Sequence, residues 1–292
     1  MKLYLGPVEI SITQDSNIEL DLFVSKYFIN PILTPLLKFK SHYSVSKNFN
    51  HLSDFKLILD GISTDDTEMP YNWFILENRD QIAFKIEYFY DTQFKYITAV
   101  LNPKDGIFNV YLTPKSDISN IKADPLLHPL GSLLLVYLAN LNGGFLIHAS
   151  GIIDQNQGYI FSAVSGTGKS TMANIWNKAG ADIVNDDRLW IQKINKIWYM
   201  MSTPMISYAQ TPLITPIHKV FLIRQSPNNE LQKIKGVNAT MQVMSNCIQH
   251  FSTKQITNKH LDSILNFTSN TAIYDCGFKP DNEIIELIRI TN

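Results

Sequence analysis

Apolar and polar residues alternate along several stretches of the first half of the chain. This alternation runs through residues 82–90, 96–100 and 108–112, and a shorter example begins at Val8. A period of two places the apolar side chains on one face of a β-strand. We therefore predict strands here, with the last three in an antiparallel meander. Between Ile18 and Lys40 we expect a helix.

The pattern changes after the polar stretch Thr113–Asp124. Residues 125–141 predict a helix, with Asp124 as the N-cap, Pro125 in the first position and glycines after the end. Beyond it, short apolar runs alternate with helical segments, which favours an α/β nucleotide-binding architecture. We predict two domains, a strand-rich one over residues 1–120, with a role in recognition that the sequence does not define, and an α/β catalytic one over residues 125–292.

Several elements of the second domain can be placed from the sequence. The strands are predicted at residues 145–153, 159–163, 183–184, 189–194, 196–201, 220–224 and 271–275, and the helices at residues 167–179, 237–250, 258–267 and 281–290. The two runs at 189–201 predict a hairpin.

Composition excludes some classes of function. The 292-residue chain has a net charge of −1 and 45% hydrophobic residues, which is enough for a core and gives no reason to expect nucleic acid or an anionic membrane as partner. We expect its two cysteines to be reduced thiols. We find no signal peptide or membrane-spanning run, and we expect a soluble cytoplasmic protein.

One segment carries specific chemistry. Residues 159–163 are an apolar strand, and Ser165-Gly166-Thr167-Gly168-Lys169-Ser170-Thr171 follows it and opens a helix. Glycines let the backbone approach an anion, and the N–H groups at the helix start face it. Lys169 adds a charge for the β- and γ-phosphates, and Ser170 can ligate Mg²⁺. Ala163 replaces the first glycine of the usual P-loop (Walker A) pattern, and we expect the loop to tolerate it.

An acidic pair follows at a suitable distance. Asp186 and Asp187 end a short strand 17 residues after Lys169, which leaves room for one helix and one return strand. A strand beside the phosphate-loop strand would bring these carboxylates to the phosphates. One carboxylate could hold Mg²⁺ and the other could accept a proton from an attacking hydroxyl. His148, in a strand expected to pair with the phosphate-loop strand, could reach the same edge or be a core residue.

This set of residues resembles the HPr kinase/phosphorylase catalytic domain. It is more similar still to a broad group of HPr-kinase-related bacterial proteins, which includes kinases encoded with lasso-peptide clusters. The likeness rests on the His148-Ala-Ser segment, the phosphate loop, the Asp-Asp pair and Thr203-Pro204, and it covers about residues 125–292. The Glu-x-Arg-Gly-Leu-Gly-type loop of HPr kinases proper does not follow Asp187. The resemblance therefore extends neither to HPr as acceptor nor to phosphorylase activity.

The resemblance implies a fold related to phosphoenolpyruvate carboxykinase and transfer of a nucleotide γ-phosphate to a serine-like hydroxyl. By position, Lys169 would hold the phosphates, Ser170 and Asp186 would bind Mg²⁺, and Asp187 would be the base. His148 would lie near the transferred group, and Arg224 is a weaker candidate for charge stabilisation. The implied ligands are ATP or another phosphoryl donor, Mg²⁺, and a peptide, protein or small-molecule acceptor.

Other functions remain open on the sequence alone. A nucleotide-binding regulatory or scaffold module without phosphotransfer is one alternative, motivated by Ala163 and the missing downstream loop. A plain ATPase or a carboxykinase-like enzyme is another. The acceptor, the donor nucleotide and the oligomeric state, including a homo-oligomer, are not defined by the sequence.

Overall fold

The computed structural model describes residues 1–47, 52–65, 69–90, 93–116, 120–126, 128–204, 211–250 and 253–291. The chain divides into two compact units. The first comprises the described residues of Met1–Tyr137, Pro204–Thr211 and His250–Ser252, and the second comprises those of Leu138–Thr203, Pro212–Gln249 and Thr253–Asn292. The stretch Thr113–Asp124 lies in the first unit, and its residues 117–119 are outside the described part.

The first unit is rich in strands, as predicted. Its described residues form β1 (Lys2–Leu5), β2 (Val8–Gln14), β3 (Ile18–Leu20), β4 (Leu37–Val45), β5 (Lys56–Gly61), β6 (Tyr71–Asn78), β7 (Gln81–Tyr88), β8 (Phe94–Asn102), β9 (Ile107–Pro114) and β10 (Ile121–Ala123). Eight of them form one sheet in the order β1-β2-β4-β9-β8-β7-β6-β5, and β3 pairs with β10. Strands β7, β8 and β9 form the predicted antiparallel meander.

The prediction of a helix between Ile18 and Lys40 is wrong. This segment contains β3, a single 3₁₀ turn at Ser25–Phe28 and the start of β4. Pro31 and Pro35 cannot continue a helix, because each lacks an N–H donor. The turn is instead held by a carboxylate distant in sequence, since Asp124 accepts hydrogen bonds from the Val24 and Ser25 N–H groups.

The predicted start of the first long helix is also wrong. Helix α1 spans Leu130–Leu141, five residues later than the sequence predicts. Asp124 does not cap it, because its carboxylate binds N–H groups of the 3₁₀ turn and of Leu126, and the helix begins four residues after Leu126. The end agrees with the prediction, since Gly143 follows α1 with a φ of +71°.

The second unit alternates strands and helices, which confirms the α/β class. After α1 come β11 (Phe145–Asp154), β12 (Gln157–Ser162), α2 (Lys169–Lys178), β13 (Asp182–Asn185), β14 (Arg188–Ile194), β15 (Ile197–Met201), β16 (Ile214–Gln225), β17 (Glu230–Ile234), α3 (Gly236–Ser245), β18 (Cys247–Ile248), α4 (Lys254–Ser269), β19 (Ala272–Phe278) and α5 (Glu283–Ile290). The helix predicted to reach His250 ends at Ser245, because the next residues pair with β11. Strand β17 was not predicted.

The mixed sheet places β12 between two neighbours. Strand β11 pairs with it in antiparallel fashion, and β16 pairs with it in parallel. Strand β19 is parallel to β16, so β12, β16 and β19 end at the same edge. Both faces of β12 are covered, since Ile160 belongs to one core cluster and Phe161 to the other. A strand buried on both faces suits the centre of a parallel array.

Two tight hairpins fix the register of strands in this sheet. Gln155 and Asn156, between β11 and β12, have φ values of +48° and +65°. Asn195 and Lys196, between β14 and β15, have φ values of +49° and +72°. Two-residue turns with both residues in the left-handed region match the right-handed twist of the strands. The second turn confirms the predicted hairpin at 189–201.

The helices and the cysteines bear on membrane insertion and on disulfide bonding. Over the described residues, every helix is too short or too polar to cross a membrane. Cys247 and Cys276 are free thiols, as predicted. Burial raises the pKa of both, that of Cys276 to about 12.

Candidate functional site

The loop between β12 and α2 depends on two glycines. Gly166 has a φ of +78° and Gly168 has a φ of +116°. Residues that carry a Cβ rarely adopt these backbone conformations. A Cβ on Gly168 would also lie 2.9 Å from Phe278 Cζ. Helix α2 begins at the next residue, so its first N–H groups face the loop. The loop thus has the backbone form that phosphate binding requires.

Ala163 does not distort this loop. The residue is buried at the end of β12, and its φ lies outside the positive region that glycine favours. Its carbonyl faces inward and accepts a hydrogen bond from Lys169. Alanine is therefore compatible with the backbone at the position where the usual motif has glycine.

Lys169 is folded onto the loop that precedes it. Its Nζ donates to the Ala163 carbonyl at 3.0 Å and to the Val164 carbonyl at 3.1 Å, and the residue is 6% exposed. Burial lowers the pKa of Lys169, and the negative charge of Asp187 partly offsets this. The ammonium group is thus held under the loop, within the electrostatic influence of Asp187.

The hydroxyl residues of the loop differ in exposure. Ser165, Ser170 and Thr171 are exposed, whereas Thr167 is half-buried and its Oγ1 donates to the Val164 carbonyl at 3.0 Å. Ser170 lies in the first turn of α2, directly after Lys169. An exposed hydroxyl there can contribute a ligand to a metal–phosphate complex.

Asp186 and Asp187 lie at the edge of the sheet where β12 ends, but the order of the strands differs from the prediction. Strand β13 does not lie beside β12, because β11 lies between them and pairs with both. β13 therefore runs in the same direction as β12, one strand away. The backbone after β13 is held on β11, since Ser150 Oγ donates to the Asp186 carbonyl and Ala149 N–H donates to the Asp187 carbonyl.

Asn185 holds the turn that presents the pair. Its side-chain oxygen accepts from the N–H groups of Asp187 at 3.0 Å and Arg188 at 3.4 Å. Its amide group donates to the Thr203 carbonyl at 3.1 Å, and the Thr203 hydroxyl donates to the Arg188 carbonyl at 2.8 Å. Asn185 is 1% exposed, so these bonds are shielded from water.

Asp187 lies between two basic groups. His148 Nε2 is 3.4 Å from Oδ1, and Arg188 Nε is 2.6 Å from Oδ2. The contact with His148 is the largest cause of a lowered pKa of about 2 for Asp187, and the Arg188 charge adds to it against the cost of burial. Asp187 is therefore a carboxylate at neutral pH, oriented through both of its oxygens.

Asp186 has a different environment. Burial raises the pKa of this carboxyl, and the neighbouring charge of Asp187 raises it further. Among the residues that the structure describes, no cationic side chain forms an ion pair with it. A cation at Asp186 would offset both effects, so the donor set fits Mg²⁺.

A full protein cage is not present here. The described part of the chain contains no cluster of three or more His, Cys, Asp or Glu residues that could hold a metal. Magnesium needs none, since it usually takes one or two protein carboxylates and completes its shell with waters and phosphate oxygens. Asp186 and the Ser170 hydroxyl are the residues that would hold it.

Arg224 is bound to other groups. Its Nε donates to Asp275 at 3.0 Å and its NH2 group to Glu230 at 2.6 Å, and both partners raise its pKa. These pairs join β16, β17 and β19. The structure brings His148, Asp187 and Lys169 into one electrostatic cluster, and the contacts of Arg224 lie outside it.

Two residues that position the acidic pair were not predicted from the sequence. Asn185 precedes the acidic pair and ends a buried strand, which is a local signal for a polar side chain with an internal partner. Thr203 was noted only as part of a Thr-Pro resemblance. Its partner is 18 residues away, so no local pattern indicates the bond.

This chain has little detectable similarity to known proteins in sequence or in structure. The chain matches no protein-family model and no curated protein. Among solved structures it is similar to the HPr(Ser) kinase/phosphatase from Coxiella burnetii, with a TM-score of 0.29 and 10% identity over 50% of this chain and 92% of that one. A likeness of this size does not assign the chain to a family, so function is inferred below from the site.

Proposed function

We propose that the second unit is a Mg²⁺-dependent phosphotransferase that moves the γ-phosphate of ATP to a serine-like hydroxyl. One observation carries the proposal: the backbone of Asp187, an oriented carboxylate, is bonded to Ala149, which pairs with Ser162 at the end of the strand that leads into the loop of Lys169. Phosphoryl transfer depends mainly on positioning and charge neutralisation, which these groups supply.

In this proposal, the position of each residue in the site determines its role. The loop N–H groups and Lys169 bind the phosphates, and Lys169 exchanges its bonds to the Ala163 and Val164 carbonyls for bonds to phosphate oxygens. Mg²⁺ at Asp186 and Ser170 would neutralise charge on the phosphate oxygens. Asp187 accepts the hydroxyl proton of the acceptor as the oxygen attacks the γ-phosphorus, whose bond to the β,γ-bridging oxygen breaks to release ADP. His148 and Arg188 keep its carboxylate ionised and oriented.

The low pKa of Asp187 is compatible with this role. A carboxylate with a pKa of about 2 is a weak base, so it takes the proton only as the hydroxyl becomes acidic through bonding to phosphorus. Its main contribution is to orient the acceptor oxygen. The alternative of a regulatory module loses one of its motivations, because Ala163 fits the loop without strain.

The test measures binding and transfer separately. Calorimetry with MgATP should detect binding, and γ-labelled ATP incubated with serine-containing peptides and small alcohols should yield labelled product. Asp187→Asn should lower transfer by about 10²–10⁴-fold while nucleotide affinity is kept. Asp182→Asn, at the exposed start of β13, is the matched control. Nucleotide binding with no labelled product from any acceptor would support the regulatory module, and absence of binding would refute both functions.

A further inference from the structure

A pocket of about 510 Å³ borders the phosphate loop in the second unit. One wall is the loop itself, at Thr167, Gly168 and Thr171. The other wall comes from the ends of two strands, at Gln225–Pro227 after β16 and at Phe278 and Pro280 after β19. None of the groups assigned above to proton transfer or Mg²⁺ lines this pocket.

The position of the pocket follows from the strand order. Strand β12, which leads into the loop, has β11 on one side and β16 on the other. His148 and the turn held on β11 therefore flank the loop on one side, and the pocket flanks it on the other. A nucleotide with its γ-phosphate towards Asp187 would extend its other end into this pocket.

The lining of the pocket is suited to a nucleoside. Phe278, Pro227 and Pro280 present apolar rings, and Thr167, Thr171 and Gln225 add hydroxyl and amide groups. Pockets for small molecules combine mostly apolar walls with a few polar groups, in volumes of about 300–1,000 Å³. A flat base with a hydroxyl-bearing sugar fits this combination. A polyphosphate alone is charged and would gain no binding energy from contact with apolar rings.

The strand ends that form the pocket are joined to each other. Ser226 N–H donates to the Phe278 carbonyl at 3.1 Å. The Asn229 side chain accepts from Lys279 N–H at 2.8 Å and donates to Asp281 at 2.8 Å. The far wall is therefore formed before any ligand binds, which reduces the entropy cost of binding.

We propose that this pocket binds the base and ribose of the nucleoside triphosphate whose phosphates occupy the loop. The inference rests on the proposed function, because it assumes that the loop binds phosphates. It adds that the nucleoside contributes to affinity, so the protein distinguishes ATP from inorganic tripolyphosphate. It also fixes the direction of the nucleotide along the sheet edge.

The test compares MgATP with magnesium tripolyphosphate by calorimetry. Gln225→Trp fills the pocket from an exposed strand end, and Gln232→Trp, exposed on β17 outside the pocket, is the matched control. The parent and the control should bind ATP about tenfold more tightly than tripolyphosphate, a difference of about 1.4 kcal/mol, and Gln225→Trp should lose this advantage. Its tripolyphosphate affinity should be unchanged.

The outcomes separate the two proposals. If Gln225→Trp binds ATP as the parent does, or if the parent binds both ligands equally, the pocket assignment is wrong while the phosphate loop stands. If the parent binds neither ligand, the proposed function fails and the pocket assignment with it. Melting curves check folding, and Pro227→Trp, on the same wall, replaces Gln225→Trp if that variant does not fold.

Discussion

His148 Nε2 lies 3.4 Å from Asp187 Oδ1, where β11 pairs with β14. The pairing aligns His148 with Arg188, so Asp187 is placed between a ring on one strand and a guanidinium on the next. The contact therefore depends on strand register, and it joins two residues that are far apart in the sequence. It is the main cause of the lowered pKa of Asp187.

This contact predicts a pH dependence of stability. Asp187 has a pKa of about 2 in the folded state, below the value of about 3.9 for an unfolded aspartate. Its ionised form therefore stabilises the folded state fully above about pH 4, and the contribution disappears as the pH falls towards 2. In urea titrations, Asp187→Asn should lose more stability relative to the parent at pH 6 than at pH 2.5.

Asp182→Asn is the control for this measurement. It removes the same charge from an exposed position at the start of β13, away from the His148 contact. We expect its stability difference from the parent to vary less with pH. A difference for Asp187→Asn that is constant between pH 2.5 and pH 6 would contradict the assigned ion pairs.

Lys169 provides a prediction for binding. Lys169→Met keeps the length and apolar character of the buried stem and removes the charged group. ATP affinity should fall about tenfold or more, because charge-assisted hydrogen bonds contribute about 1.5–3 kcal/mol each. Lys178→Met, exposed at the end of the same helix, should bind ATP as the parent does. Calorimetry distinguishes the two, and equal affinity of both variants would exclude Lys169 as a phosphate ligand.

The form of the loop between β12 and α2 was predictable because its signal is local. Gly166, Gly168 and Lys169 lie within four residues, and backbone conformation alone gives them their geometry. The edge to which Asp186 and Asp187 come was also predicted, as was the pairing of β11 with β12, but β13 was expected directly beside β12. Strand order depends on pairing between distant segments, and β11 lies where the sequence suggested direct contact.

Long-range contacts explain the other errors. Asp124 is a reasonable N-cap by sequence, yet its carboxylate binds the backbone of Val24, 100 residues away. The pocket beside the loop has the same origin, since its walls come from three separate segments that meet only through the parallel pairing of β12, β16 and β19. No periodicity within any one segment indicates such a site.

Asn185 gives a prediction that separates positioning from binding. Asn185→Ala removes the bonds that hold the turn and leaves buried partners unsatisfied, which costs about 1–3 kcal/mol for each such group. We expect lower stability in urea and slower phosphoryl transfer, with ATP affinity kept, because the loop is unchanged. Asn177→Ala, exposed on α2, is the control. Parent-like stability and transfer in Asn185→Ala would contradict the positioning role.

Ala163 provides the last prediction, because it is the one departure from the usual P-loop pattern. Its buried side chain and ordinary φ mean that glycine offers no conformational advantage there. Ala163→Gly should lower the free energy of unfolding by about 0.5–1 kcal/mol, since glycine loses more backbone freedom on folding. ATP affinity should be unchanged, because Lys169 bonds to the carbonyl of residue 163, which glycine also has. Urea titration and calorimetry on the same preparation test both statements, and tighter ATP binding by Ala163→Gly would mean that alanine does constrain the loop.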